Sequence, residues 1–134
     1  MTAHAKALDL SKIAQRYFAA WSAHDPDAIV ALHTSDSQFQ AHGRGTAVRG
    51  RAALREEFAQ AFARYPGFDF EVHRLLFGDG HWVLDWTLTF QPPGEHRRGV
   101  HCLDVVEVAG DGLVARKDTF FDFAQLKAAF GGGA

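Results

Sequence analysis

The chain has 134 residues, 47% of them apolar, with 14 Lys and Arg against 16 Asp and Glu and a formal net charge of −2. That is the size and composition of one globular domain with its own core, so a single domain over residues 1–134 is expected. Basic residues are scattered instead of forming a stripe, which argues against a nucleic-acid partner; MTAHAKALDLSKIAQ holds neither the apolar run of a signal peptide nor one able to span a bilayer, so a cytoplasmic protein without membrane contact is expected.

From Leu8 to Ala23, apolar residues at Leu10, Ile13, Ala14, Tyr17, Phe18 and Trp21 recur every three or four positions, which predicts an amphipathic helix. Asp25 followed by Pro26 supplies an N-cap and a proline in the first turn of a second, short helix ending near His33. Short strands are expected over Ser37–Gly43 and Ala47–Arg49, and RAALREEFAQAFARY reads as a third helix closed by Pro66 and Gly67. The pattern then changes. FDFEVHRLLF, HWVLDWTLTF, GVHCLDVVEV and LVARKDTFF are four strand-like runs joined by GDG, QPPGEHRR and AGDG, a hairpin meander. Asp122 and Gln125 have capping-box spacing before a short final helix over Ala124–Phe130, and the GGGA tail reads as disordered. Helices followed by an antiparallel meander predict an α+β fold with helices packed on one face of a curved sheet.

Alternation assigns the faces. In HWVLDWTLTF the set Trp82, Leu84, Trp86, Leu88 and Phe90 is apolar and faces the helices, which puts Asp85 on the convex face in a structural role. In the next strand Glu107 shares parity with His101, Leu103 and Val105. If Glu107 is outside, Cys102, Asp104, Val106 and Val108 are inside. Leu103 and Val105 then form an apolar outer patch, for which a homodimer through the convex sheet face is the expected explanation. A carboxylate on the inner face is costly unless it is paired or kept neutral, so Asp104 is either a partner in an ion pair or part of a site. If AGDG is a two-residue hairpin, Lys117 lies opposite Asp104, and that ion pair is the rival to any role for a neutral acid.

The single cysteine, Cys102, reads as a small buried apolar residue. Eight histidines raise the question of a metal, but none falls in an HExxH or comparable pattern, and His4, His24, His81 and His96 fall in the tail, an interhelix turn and two loops. No metal and no cofactor are expected.

Three stretches carry a family resemblance. IAQRYFAAWSAHDPDAIVAL and RGRAALREEFA resemble the first and third helices of ketosteroid isomerase, and LDVVEVAGDGLV resembles the strand and turn that carry its buried aspartic acid. Together they cover nearly the whole chain and resemble the group of ketosteroid isomerases and SnoaL-like polyketide cyclases, which implies the nuclear transport factor two fold: a cone-shaped, curved antiparallel sheet wrapped by three helices from the N-terminal half around an apolar pocket. The resemblance implies that Tyr17 is an oxyanion-binding tyrosine and Asp104 a protonated acid donating a second hydrogen bond. An enolate oxygen forming in an apolar pocket needs such donors, and an acid donates only if its surroundings keep it neutral. Without the resemblance, Tyr17 is a tyrosine on an apolar helix stripe whose hydroxyl reaches water.

There are departures from the family pattern. Its general-base aspartate falls on Ala41, which moves no proton, and a supporting tyrosine of the third helix falls on Phe58. His42, beside Ala41, has a suitable ordinary pKa for a base but alternates away from it; its other reading is an exposed edge-strand histidine. Related epoxide hydrolases of the fold use an arginine and aspartates, which the inward set from Trp82 to Phe90 does not supply. The candidate catalytic residues are thus Tyr17, Asp104 and His42, and the candidate substrate contacts are Trp86, Phe39, Phe58, Phe121, Cys102 and Lys117. The expectation is an isomerase- or cyclase-like enzyme that stabilises an enolate of a small hydrophobic carbonyl compound. The alternative, favoured by Ala41, is a non-catalytic module that binds an apolar ligand or dimerises.

Overall fold

A computed structural model describes residues 8–131. The expectations for His4 and for the last three residues of the GGGA tail lie outside them. Helix α1 (Leu10–Ser22) starts at Asp9, whose carboxylate accepts from the Lys12 N–H at 3.1 Å, and α2 (Pro26–Val30) starts at Asp25, which accepts from the Ala28 N–H at 3.2 Å. Both caps satisfy a donor that the first helical turn leaves unpaired. Strand β1 (His33–His42) begins earlier than the sequence suggests, because α2 ends at Val30 and His33 is already extended. A two-residue β2 (Val48–Arg49) precedes α3 (Arg51–Arg64), entered through Gly50 at φ 93°, a left-handed conformation that favours glycine.

The meander follows as β3 (Asp69–Gly78), β4 (His81–Phe90), β5 (Arg98–Val108) and β6 (Val114–Phe121), so His81 opens a strand instead of sitting in a loop. Helix α4 (Phe123–Ala129) closes the described chain, with the Asp122 carboxylate accepting from the Gln125 N–H at 3.0 Å as its spacing predicts. Among the described residues no helix is long and apolar enough to cross a membrane.

The strand order is β2-β1-β6-β5-β4-β3. The fold is α+β as expected, but the sheet is mixed, not wholly antiparallel: β1 and β6 run parallel. The reason is topological. The meander ends by laying β6 along the side of β1 that β2 does not occupy, and a parallel pair needs a long crossover, here everything from β2 to β5.

Burial in β4 alternates as its sequence does. Trp82, Leu84, Trp86, Leu88 and Phe90 are all buried against the helices, and each such side chain contributes on the order of 1.5–3 kcal/mol of burial energy. Asp85 lies on the outer face, paired with Arg74 at 2.9 Å and His101 at 2.5 Å. In β5 the inside-outside assignment also holds. Cys102, Asp104 and Val106 are buried, Glu107 is exposed, and Leu103 and Val105 are half-buried on the outer face.

Candidate active site

Helix α1 lays Tyr17 and Trp21 over the concave face of the sheet, one helical turn apart. Beneath them β5 and β6 pair with Asp104 opposite Thr119 and Val106 opposite Lys117. Lys117 is therefore the diagonal neighbour of Asp104, not its direct partner. The β5–β6 connection is longer than two residues, with the Ala109 N–H bonded to the Leu113 carbonyl, and the ladder slips between Glu107 and Val108. The resulting shift of two residues keeps Lys117 on the inner face.

The consequence is a chamber of about 70 Å³ on which Tyr17, Asp104, Lys117 and Thr119 converge within a largely aromatic wall. At about 10–15 Å³ per water on such a measure, it has room for about five waters or a single small ring. Asp104 Oδ1 accepts from the Thr119 hydroxyl at 2.8 Å, and Lys117 Nζ lies 3.7 Å from Oδ2. Lys117 is itself nearly sealed from water: its Nζ sits 4.2 Å from the ring centre of Trp21, 5.1 Å from that of Tyr17 and 5.8 Å from that of Phe58. A desolvated ammonium over aromatic faces gains cation–π attraction that replaces part of its lost hydration. For Asp104, burial raises the pKa above the usual carboxylate value, while the Lys117 ammonium and the Thr119 hydrogen bond oppose the rise. The rise wins, so this carboxyl holds its proton more readily than an ordinary one.

Behind Tyr17 runs a second network. Its hydroxyl meets His33 Nε2 at 2.9 Å, and His33 Nδ1 meets the Ser37 hydroxyl at 2.8 Å, with all three side chains buried. The phenol's pKa is raised by burial, with Lys117 opposing. His33 is pulled down to about 3 by burial, reinforced by the Lys117 and Arg51 cations, so it is neutral. A neutral imidazole donates from one nitrogen only. When Ser37 donates to Nδ1, Nε2 donates to Tyr17 and leaves the phenol proton free to point into the chamber. In the other tautomer the phenol proton is consumed by His33. Sequence reasoning missed His33 and Ser37, because the first was assigned to the end of α2. Phe58 packs edge-on against Trp21 at 4.9 Å and lies 5.2 Å from Phe39.

Of the expected substrate contacts, Trp86, Phe39, Phe121 and Lys117 line the chamber. Phe58 and Cys102 lie behind the lining, Phe58 wedged among aromatic rings and Cys102 with its thiol directed to the Val100 carbonyl at 3.5 Å. Burial pushes the Cys102 thiol pKa up, which fits an inert buried residue. The expectation of a catalytic His42 is corrected. Strand alternation puts it on the face opposite Phe39, where it bonds Asp118 Oδ1 at 2.7 Å and stacks on Phe120 at 4.2 Å. It does not share the chamber with Tyr17 and Asp104.

Comparison with known proteins settles the family. The SnoaL-like domain matches residues 14–117. The chain belongs to the SnoaL-like family. None of the curated proteins matches it in sequence. Several solved structures share its fold. A proposed SnoaL-like polyketide cyclase from Shewanella putrefaciens CN-32 superposes with a TM-score of 0.80 at 12% identity, covering 94% of this chain and 88% of that one. A protein of Catenulispora acidiphila DSM 44928 with a ketosteroid isomerase-like fold, in complex with trimethylamine, gives 0.78 at 17% identity over 89% and 92% of the two chains. SalBIII, an epoxide hydrolase/cyclase-like enzyme with a role in pyran ring formation in the polyether salinomycin, gives 0.75 at 21% identity over 86% and 92%. At these identities the likeness establishes the fold, and the SnoaL-like chain's chemistry has to be argued from its own chamber.

Proposed function

We propose that this SnoaL-like protein is a cyclase- or isomerase-type enzyme that binds a small hydrophobic carbonyl compound and holds its enolate oxygen between Tyr17 and Asp104. Family membership supports the general type of activity. The observation that carries the specific reading is the convergence of a buried phenol and a buried carboxyl of raised pKa on one aromatic chamber. Donors fixed in place before charge develops, in a site with little water, stabilise an oxyanion far more than the same donors in solvent.

Lys117 modifies the expected logic. With the chamber free of anions, its ammonium favours ionised Asp104. An entering oxyanion supplies the negative charge that Lys117 needs and repels a second one, so Asp104 takes up a proton and becomes a donor. Binding is thus tied to proton uptake. The substrate proton is transferred by water or by a group of the substrate itself, since Ala41 follows the parity of Phe39 and His42 lies on the other face.

A series of single-ring phenols of increasing acidity tests this reading. Calorimetry in buffers of different ionisation enthalpy is expected to show affinity rising with acidity, with uptake of one proton when the phenol enters already ionised and none when a neutral phenol passes its own proton to Asp104. Tyr17→Phe and Asp104→Asn should each weaken binding about tenfold or more. Affinity that ignores both acidity and the two substitutions rejects the oxyanion site. Ala41, in place of a base, favours the second reading, a module that binds without turnover. Exchange of α-protons of small cyclic ketones in D2O, followed by NMR, separates the two: exchange lost in Asp104→Asn marks an enzyme, and phenol binding without any exchange marks a binding module.

A further inference from the structure

Strand β1 opens with a detour. His33 pairs with Val114 and Gln38 with Arg116, so five steps along β1 match two along β6, and the intervening chain bulges outward with Ser35 and Asp36 exposed. Residues four apart in a regular strand lie about 13 Å from each other, yet the detour brings the Ser37 hydroxyl to 2.8 Å from His33 Nδ1. Both ends are held from the entry of α3. The Arg51 guanidinium donates twice to the His33 carbonyl, at 3.0 and 2.7 Å, and the Gly50 N–H donates to the Ser37 carbonyl at 2.9 Å. The product of the irregularity is a contact between two fully buried side chains, directly behind the hydroxyl of Tyr17.

Counting protons decides which way this chain of hydrogen bonds runs. The neutral His33 ring carries one proton, and its two nitrogens meet only the hydroxyls of Tyr17 and Ser37 among the described residues. With the proton on Nδ1, the ring donates to Ser37 and accepts from Tyr17. The Ser37 proton then has no acceptor, because Nδ1 is the one partner of that hydroxyl among the described residues, and Ser37 is sealed from water and outside the chamber lining. With the proton on Nε2, Ser37 donates to Nδ1 and Nε2 donates to the Tyr17 oxygen. The proton without a protein partner is then that of Tyr17, which lines the chamber, where water or a ligand can accept it. Burying a hydroxyl proton with no acceptor is costly, and only the second arrangement avoids it. We propose that Ser37, acting through His33, is a positioning residue that turns the Tyr17 proton into the chamber. Its use rests on the oxyanion reading, since a Tyr17 whose proton went to His33 would have none to donate to an enolate.

Nitrogen-15 NMR of the full chain at neutral pH reads the tautomer directly, with the His33 signals identified among those of the eight histidines as the ones missing from His33→Gln. A proton on Nε2 and a bare Nδ1 are expected in the wild-type protein; a proton on Nδ1 overturns the proposal, whether or not any ligand binds. The second measurement is a double-mutant cycle on the affinity for 4-fluorophenol. Ser37→Ala should weaken binding about fivefold in the wild-type background and less than about twofold when combined with Tyr17→Phe. A serine that only supports the fold would weaken binding equally in both backgrounds, and that result, or no weakening in either, overturns the proposal. If 4-fluorophenol does not bind the wild-type protein, or if binding ignores Tyr17→Phe, the oxyanion reading fails and Ser37 loses its role in binding. An Nε2–H tautomer in the same protein then places the fault in the chamber and not in the hydrogen bonds behind Tyr17.

Discussion

Replacing Asp104 with leucine tests the electrostatics of the chamber independently of any substrate. The substitution removes the carboxylate 3.7 Å from Lys117 Nζ and the acceptor of the 2.8 Å Thr119 hydrogen bond, leaving an ammonium whose side chain is 7% exposed and a hydroxyl that is also buried. Breaking a buried pair by removing one member costs about 3–5 kcal/mol, because the remaining charge stays desolvated. The aromatic cage around Lys117 limits the loss, which sets the expectation near 3 kcal/mol, a large share of the 5–15 kcal/mol typical of a domain. Lys117→Met alone should cost less, since a buried carboxyl can take up a proton. Asp104→Leu combined with Lys117→Met should recover at least about 2 kcal/mol relative to the sum of the single changes, because no charge is then left unpaired. Urea unfolding followed by the fluorescence of the buried Trp21, Trp82 and Trp86 measures all four proteins. If Asp104→Leu lies within 1 kcal/mol of the wild type, or if the double variant is as unstable as the sum, the two groups do not compensate each other and the account of the site is wrong.

His33 predicts a pH signature: its pKa is about 3 in the folded chain against 6.5 ordinarily, so the unfolded chain binds a proton in that window and the folded chain does not. Stability should therefore fall as pH drops from about 6.5 towards 3, by roughly 1.4 kcal/mol per unit, and His33→Gln should remove that slope in urea titrations at several pH values. Asp104 has the opposite sign. Its folded pKa is raised, so wild-type stability should fall relative to Asp104→Asn as pH rises above the ordinary carboxylate value, and a difference that does not change with pH would contradict the raised pKa. Cys102, buried with a raised thiol pKa, should react with a disulfide reagent only as fast as the chain unfolds; rapid labelling of the native protein would show that the thiol is accessible. His42→Ala should leave phenol affinity and proton uptake unchanged, since it removes only the outer-face contacts to Asp118 and Phe120, and a loss of either would return His42 to the site.

What the sequence discloses here is local. The helix starts at Asp25 and Asp122 and the burial of Trp82, Leu84 and Trp86 follow from signals within a few residues of each position, and the structure has them where capping and alternation put them. Even the inward direction of Asp104 follows from the single comparison with Glu107. The parallel pairing of β1 with β6 is decided between distant segments, and no local pattern carries it. The same holds for His33, whose burial depends on Tyr17 and Ser37 meeting it and on Arg51 holding its carbonyl at 2.7 Å. Lys117 could be placed on the correct face but not at the correct rung, because one irregularity near Val108 resets the register.

Lys117 also bears on selectivity. An acid that must be neutral to donate a hydrogen bond is poorly served by a neighbouring cation, which favours its ionised form. The handicap belongs to the empty chamber only. A neutral ligand entering it faces an Asp104–Lys117 pair that already satisfies itself, and gains little from either group. A ligand whose oxygen carries negative charge replaces the carboxylate as counter-charge to Lys117, releases Asp104 to bind a proton, and gains the ammonium, the phenol and the acid together. Under the oxyanion reading proposed above, the penalty set by the pair in the free protein would become discrimination in favour of compounds that enolise, as differential stabilisation of the charged state over the ground state requires.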